Sequence, residues 1–205
     1  MIVVSDMMGT LTTGSPFRGL VDWVKHNQSK ARANWYMASI APSYFLAKKG
    51  VIDWQDWGHR LMINSLSYIK DATPEKVGHA AEWVVEKDLW VKRREDVIAR
   101  LIKHRDEEGA SIYIASSYFE PFLEPFAKRI GAKGIGTPVE LVNGRLRMTS
   151  KQMVADERKL EQVLTRLGVE RVDVAYGYRF RCPIIGTCQS PCGGVPRCKI
   201  EEDRT

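Results

Sequence analysis

Met1 to Thr12 reads M-I-V-V-S-D-M-M-G-T-L-T. Ile2, Val3 and Val4 form a short apolar run of the buried-strand kind, closed at once by Asp6. Gly9 and Thr10 follow and suit a tight turn. A carboxylate at the carboxyl end of a buried strand sits where open α/β sheets place their chemistry. A carboxylate can also attack phosphorus and form an aspartyl-phosphate. Taken alone, an Asp after a short strand serves equally well to cap a turn.

The whole chain sets the bounds. Its 205 residues hold one α/β domain, or a core with a modest insertion. The hydrophobic fraction of 44% is ordinary for a globular protein. No stretch is apolar and long enough to span a bilayer, and the first residues lack a basic segment followed by an apolar one. A cytoplasmic protein is therefore expected. The formal charge is +6, but its cations are mixed with acids, as in Lys92-Arg93-Arg94-Glu95-Asp96. That pattern reads as a solvated helix face, so no nucleic acid is expected as partner, and the lack of a spanning segment leaves no membrane expected either. An anionic substrate is compatible with it.

Residues 15 to about 90 read as helices. Phe17, Leu20, Val21 and Val24 recur at helical spacing. Ala31 to Lys48 is rich in Ala, aromatics and Met, with a break expected at Pro42. Ile52 to Lys70 carries Trp54, Trp57, Leu61 and Leu66. Thr73-Pro74-Glu75 is a helix start, with Thr73 as N-cap. All six Trp lie between Trp23 and Trp90. They line a substrate site or fill a helical core, and for most of them packing is the simpler account.

The next segments alternate. Glu95 to Glu108 is an amphipathic helix stopped by Gly109. Ser111 to Ala115 is a buried strand ending in Ser116-Ser117. A hydroxyl at a strand end beside a helix start can bind a phosphate oxygen, or simply act as an N-cap. A helix follows, Glu120 to Gly131. Val139 to Leu146 holds Asn143-Gly144 between apolar alternations, which is a hairpin signal. Ala155 to Leu167 is helical, and Arg171 to Gly177 reads as another buried strand.

The opening stretch resembles the first motif of the haloacid dehalogenase-like (HAD) hydrolases, D-x-D-G-T-[LV]-T. Asp6, Gly9, Thr10, Leu11 and Thr12 match, while Met8 stands where the second Asp falls. The resemblance implies an α/β fold: a Rossmann-like HAD core with a parallel sheet and an inserted helical cap. The insertion directly after the first motif is of the C1 type, which points to the phosphoserine phosphatase-like branch. The core would be residues 1–14 and 91–177, and the cap 15–90. The spacing to Gly131 selects Ser116 as the second-motif hydroxyl, with Ser117 as second choice. Lys159 falls where the family places its third-motif Lys, and Lys151 is its rival. The hairpin is similar to the one between motifs two and three in this branch.

The implied chemistry is Mg²⁺-dependent hydrolysis of a small phosphorylated metabolite. Asp6 would be nucleophile and metal ligand, with the main-chain carbonyl of Met8 as a second ligand. Gly9, Thr10 and Ser116 would hold the phosphate, and Lys159 would balance charge. Met8 cannot serve as the general acid and base. A non-catalytic HAD-like protein that binds phosphate is thus the alternative.

After Tyr176-Gly177 the family's fourth motif reads Y-G-D-[ST]-x-x-D-x-P, whose acids hold the metal. Here the chain reads Y-G-Y-R-F-R-C-P, with neither acid. Residues 178–205 show no amphipathic period and contain all four cysteines, Cys182, Cys188, Cys192 and Cys198. Four thiolates can bind zinc, but only Cys188 and Cys192 have pair spacing close to that of zinc sites. A disulfide-bonded tail conflicts with a cytoplasmic location. A third reading is translation out of frame. Each shifted codon takes two bases from one codon and the first base of the next, so only degenerate bases are free. Read from the second base of the Tyr178 codon, with one Asp codon lost at the junction, the tail permits Y-G-D-T-A-S-D-V-P-L-L-E. The P-V-A-V strand and P-D that close the family's core then follow. A small net frameshift near Gly177 is therefore expected.

Overall fold

The structure is a computed structural model. It describes residues 1–148 and 159–177. Strand β1 (Ile2–Asp6) runs through the middle of a sheet. On one side it pairs in parallel with β2 (Ser111–Phe119), and β2 with β3 (Lys133–Thr137). On the other side it pairs in parallel with β6 (Val174–Tyr176). The order is β3-β2-β1-β6, so the chain leaves β1 for one side and later returns to the other. Such a reversal opens a crevice at the carboxyl ends of the strands, and β1 ends in it.

The strand side chains alternate between the two faces. Val3, Ile112, Ile114, Val174 and Tyr176 belong to one apolar cluster with α5 (Glu95–Glu108) and α6 (Glu120–Arg129). Val4, Ala115, Ile135 and Ala175 belong to a second cluster with Val163 of α7 (Lys159–Leu167). The sheet is thus covered on both faces, which is the Rossmann-like α/β arrangement expected from the sequence. A separate antiparallel pair, β4 (Val139–Val142) and β5 (Arg145–Met148), turns at Asn143 and Gly144. Both turn residues have positive φ, 50° and 71°, as a two-residue hairpin turn of type I′ needs.

Between β1 and α5 lie four helices: α1 (Pro16–Asn27), α2 (Lys30–Lys48), α3 (Trp54–Ser65) and α4 (Pro74–Val84). Ser15, Ser29 and Thr73 cap α1, α2 and α4 by accepting from the backbone N–H three residues on. Helices α1 and α4 share the first apolar cluster with the sheet through Leu20, Val24, Ala80, Ala81 and Val84. Helix α4 also packs against α6. It ends in a π-helical turn, Val85–Leu89, that buries Asp88. No helix of the described residues is long and apolar enough to cross a membrane.

Two sequence expectations need correction. Helix α2 does not break at Pro42 but runs through it. A proline removes the hydrogen bond to the carbonyl four residues back. Here that residue is Ala38, and both Pro42 and Ala38 are exposed, so water can satisfy the orphaned carbonyl. Strand β2 does not stop at Ala115 but continues to Phe119, with a bulge between Ala115 and Phe119 in its pairing to β3. The tryptophans divide. Trp23 is buried, and the indole N–H groups of Trp23, Trp57 and Trp83 donate to His79, Ser43 and Asp22. Trp90 packs edge-on against Phe126. Trp35 and Trp54, at 70% and 45% exposure, are not core residues. The expected helical turns at 155–158, the rival Lys151 and the whole tail 178–205 lie outside the described residues.

Candidate active site

Asp6 is the last residue of β1, and it pairs in register with Ala115 of β2. Ser116 is therefore the first residue of β2 beyond the stretch aligned with β1. From the opposite side α7 approaches the same point. Its residues Lys159 and Val163 are one helical turn apart and so share a face. Val163 is fully buried against the sheet, which directs Lys159 at the strand ends. The Lys159 Nζ donates to Asp6 Oδ1 at 2.5 Å. The two side chains are only 10% and 19% exposed. Water screens such a pair far less than a surface one. Further along α7, Arg166 Nη1 donates to Glu120 Oε1 at 2.5 Å and to the Gly136 carbonyl at 2.9 Å. These contacts tie α7 to the start of α6 and the end of β3.

The turn after Asp6 closes on itself. The amides of Leu11 and Thr12 donate to the Met7 carbonyl, and the Gly9 amide donates to the Thr12 carbonyl. The Met8 carbonyl takes part in none of these bonds. Gly9 has φ of 80°, in the left-handed region, which a glycine adopts without strain. Thr10 is buried, and its Oγ1 has no hydrogen-bond partner among the described residues. An unsatisfied buried hydroxyl costs about 1–3 kcal/mol, and an anionic oxygen bound beside it would remove that cost. Ser116 is also buried, and its Oγ accepts from the Tyr118 amide at 3.2 Å, which leaves the hydroxyl proton to donate elsewhere. Ser117 differs in that its carbonyl accepts from Thr137 Oγ1 at 2.7 Å. The structure thus brings Asp6 and Lys159 together. It places Gly9 and Thr10 in the turn that follows Asp6, and Ser116 on the neighbouring strand.

A second set of contacts, which join residues far apart in the chain, had no local signal in the sequence. Thr12 is fully buried. Its hydroxyl donates to the Leu89 carbonyl at 2.7 Å and accepts from the Gly14 amide at 2.9 Å. Asp88 Oδ2 accepts from the Ser15 amide at 2.8 Å, and Lys92 pairs with Oδ1 of the same carboxylate. The Thr13 amide donates to the Lys92 carbonyl, and the Arg94 amide to the Leu11 carbonyl. The two strands of chain that connect the four-helix insertion to the sheet are therefore laced together directly behind the turn. Asp88 was not legible because its partner, the Ser15 amide, is 73 residues away. Tyr118 was missed as well. Its ring is buried and burial pushes the phenol pKa up.

Comparison with known proteins agrees with this fold. The haloacid dehalogenase-like hydrolase family profile matches residues 3–178. No curated protein matches the chain in sequence. Among solved structures, a protein of unknown function from Bordetella pertussis Tohama I superposes with a TM-score of 0.62 at 15% identity, covering 82% of this chain and 75% of that one. A HAD family hydrolase from Salmonella enterica subsp. enterica serovar Typhi gives 0.53 at 14% identity, over 86% of this chain and 55% of that one. A phosphoserine phosphatase in the form of a phospho-aspartyl intermediate analogue gives 0.50 at 15% identity, over 85% and 76%. Identities this low show shared fold alone, and that fold is the phosphoserine phosphatase-like one. With the family profile covering most of its length, the chain belongs to the haloacid dehalogenase-like hydrolases.

Proposed function

We propose that this chain is a phosphatase of small phosphomonoesters, working through an aspartyl-phosphate on Asp6. The observation that supports it is the ion pair of Lys159 with Asp6 at the carboxyl end of the central strand. In this reading an Asp6 carboxylate oxygen attacks phosphorus, the bond to the leaving alkoxide breaks, and water then cleaves the acyl-phosphate. Lys159 steadies the carboxylate before attack and the phosphoryl oxygens during it. The partnerless Thr10 hydroxyl, the Gly9 turn and the Ser116 hydroxyl hold the phosphate. Residues 15–90 act as the cap and residues 1–14 and 91–177 as the core, with the laced linkers between them.

Magnesium fits the donors in a limited way. It binds through one or two carboxylates with phosphate oxygens and keeps several waters. The Asp6 carboxylate and the Met8 carbonyl would hold it, since neither needs the other for the turn's own bonds. Among the described residues no group of three or more His, Cys, Asp or Glu is placed to hold a metal. When bound, the ion would neutralise charge on the transferring phosphoryl group.

Met8 favours a second reading. It is half-buried and packs against the apolar cluster, where a proton donor to the leaving group is needed. A protein that binds phosphate without turnover keeps the same pocket. The test is hydrolysis of p-nitrophenyl phosphate with Mg²⁺, beside calorimetric binding of inorganic phosphate. Slow turnover abolished by Asp6→Asn is expected. Turnover that survives Asp6→Asn would overturn the nucleophile. Phosphate binding with no turnover would establish the second reading.

A further inference from the structure

A different part of the molecule carries an unassigned surface. Residues 33–47 of α2, A-N-W-Y-M-A-S-I-A-P-S-Y-F-L-A, contain no charged side chain. They span about 22 Å of helix. A surface helix normally turns charged residues outward and buries one apolar stripe. Helix α2 packs on α1 and α3 through one face, with Ala33 and Ala47 buried. Its other face presents Trp35 at 70%, Phe45 at 59%, Met37 at 46% and Leu46 at 43% exposure. Val51 and Trp54 continue the patch at 69% and 45%. Among the described residues, eight of the eleven exposed large apolar side chains fall between Trp35 and Ile63. At the elbow into α3, Tyr44, Trp54 and Trp57 form mutual ring contacts.

The charges around this patch have one dominant sign. Lys30 and Arg32 stand at one end of the uncharged run, and Lys48 and Lys49 at the other. Arg60 follows on α3. Between Lys30 and Ile63 the acids are Asp53 and Asp56 only. A second copy of the chain seated on the same face would bring these cations against each other in either orientation of α2. Apolar and aromatic side chains framed by lysines match the boundary of an anionic bilayer, where rings enter the headgroup layer and lysines meet lipid phosphates. We propose that the outward face of α2, with the elbow at Val51 and Trp54, docks in the plane of an anionic lipid surface. The expectation of no membrane partner rested on the lack of a spanning segment, and a helix lying in the interface needs none.

The experiment is sedimentation of the full chain with vesicles of phosphatidylcholine alone or mixed equally with phosphatidylglycerol. Binding to the mixed vesicles is expected, weak on the neutral ones and weakened by added salt. The double variant Lys48→Glu, Lys49→Glu is expected to lose about tenfold or more in partitioning. Trp35→Ser with Phe45→Ser is expected to lose about as much. These side chains are exposed, so circular dichroism should show an unchanged fold. Lys103 and Lys128 are exposed far from the patch in sequence, and reversing both is expected to leave binding nearly intact. The proposal is overturned if wild type ignores the mixed vesicles. It is also overturned if the Lys103 and Lys128 control weakens binding as much as the α2 variants do. A dimer dissolved by Trp35→Ser with Phe45→Ser, without vesicle binding, would make the face a protein interface instead.

Discussion

Asp6 and Lys159 are 153 positions apart, yet one ion pair joins them. Asp6 was legible because the strand that carries it is local: three apolar residues, an acid and a glycine turn. Lys159 was legible only through its order and spacing relative to a family pattern. No physical feature of a helix lysine marks it as buried until Val163 is seen against the sheet. If Lys159 holds charge in the reaction, Lys159→Met keeps much of the apolar stem and removes the ammonium. It should lower turnover of p-nitrophenyl phosphate by about 10²–10³-fold, as read in kcat. A lysine that merely solvates a helix would give wild-type rates. Met8 makes the opposite prediction. Met8→Asp installs a proton donor two residues beyond the nucleophile and should raise the rate by about 10²–10⁴-fold. Equal rates in both proteins would mean that another group, or solvent, protonates the leaving oxygen.

Elements were read well where their signals are short in range. The Thr73-Pro74 start, the Asn143-Gly144 hairpin and the stop at Gly109 each depend on a few adjacent residues. The two misreadings share a cause, which is that solvent exposure and neighbouring strands were not visible. Pro42 is tolerated because its side of α2 faces water, and β2 runs on because β3 pairs with it past a bulge. The laced linkers are the element-scale feature with the clearest mechanical consequence. Gly14 sits so close to the π-helical turn that an added Cβ would lie 2.8 Å from the Asp88 carbonyl and 2.9 Å from the Leu89 Cα. Both neighbours are backbone and cannot swing aside. Gly14→Ala should therefore destabilise the fold by about 1–3 kcal/mol, read as a lower denaturation midpoint. An unchanged midpoint would show that the two linkers can separate freely.

At the scale of the whole molecule, the sheet has an imbalance. Two strands lie on one side of β1, while on the other β6 is the edge among the described residues and holds three residues. All three are buried. The family profile ends at residue 178, the position where the sequence pattern also loses its apolar period. A restored reading frame would supply two acids directly after β6 and then a P-V-A-V strand that could extend this side of the sheet. Resequencing the source DNA across the codons for Tyr176 to Arg181 is the direct check, and a changed frame is expected. The protein made from the restored frame should then melt at least about 2–4 °C higher than the chain as given, because about 1 kcal/mol of added stability moves Tm by that much in a domain of this size. If instead the frame stands, Cys182, Cys188, Cys192 and Cys198 belong to the protein. Purified chain that holds zinc in equal stoichiometry, and loses stability when the zinc is chelated, would then make the tail a metal-bound module and leave the family's metal acids truly absent.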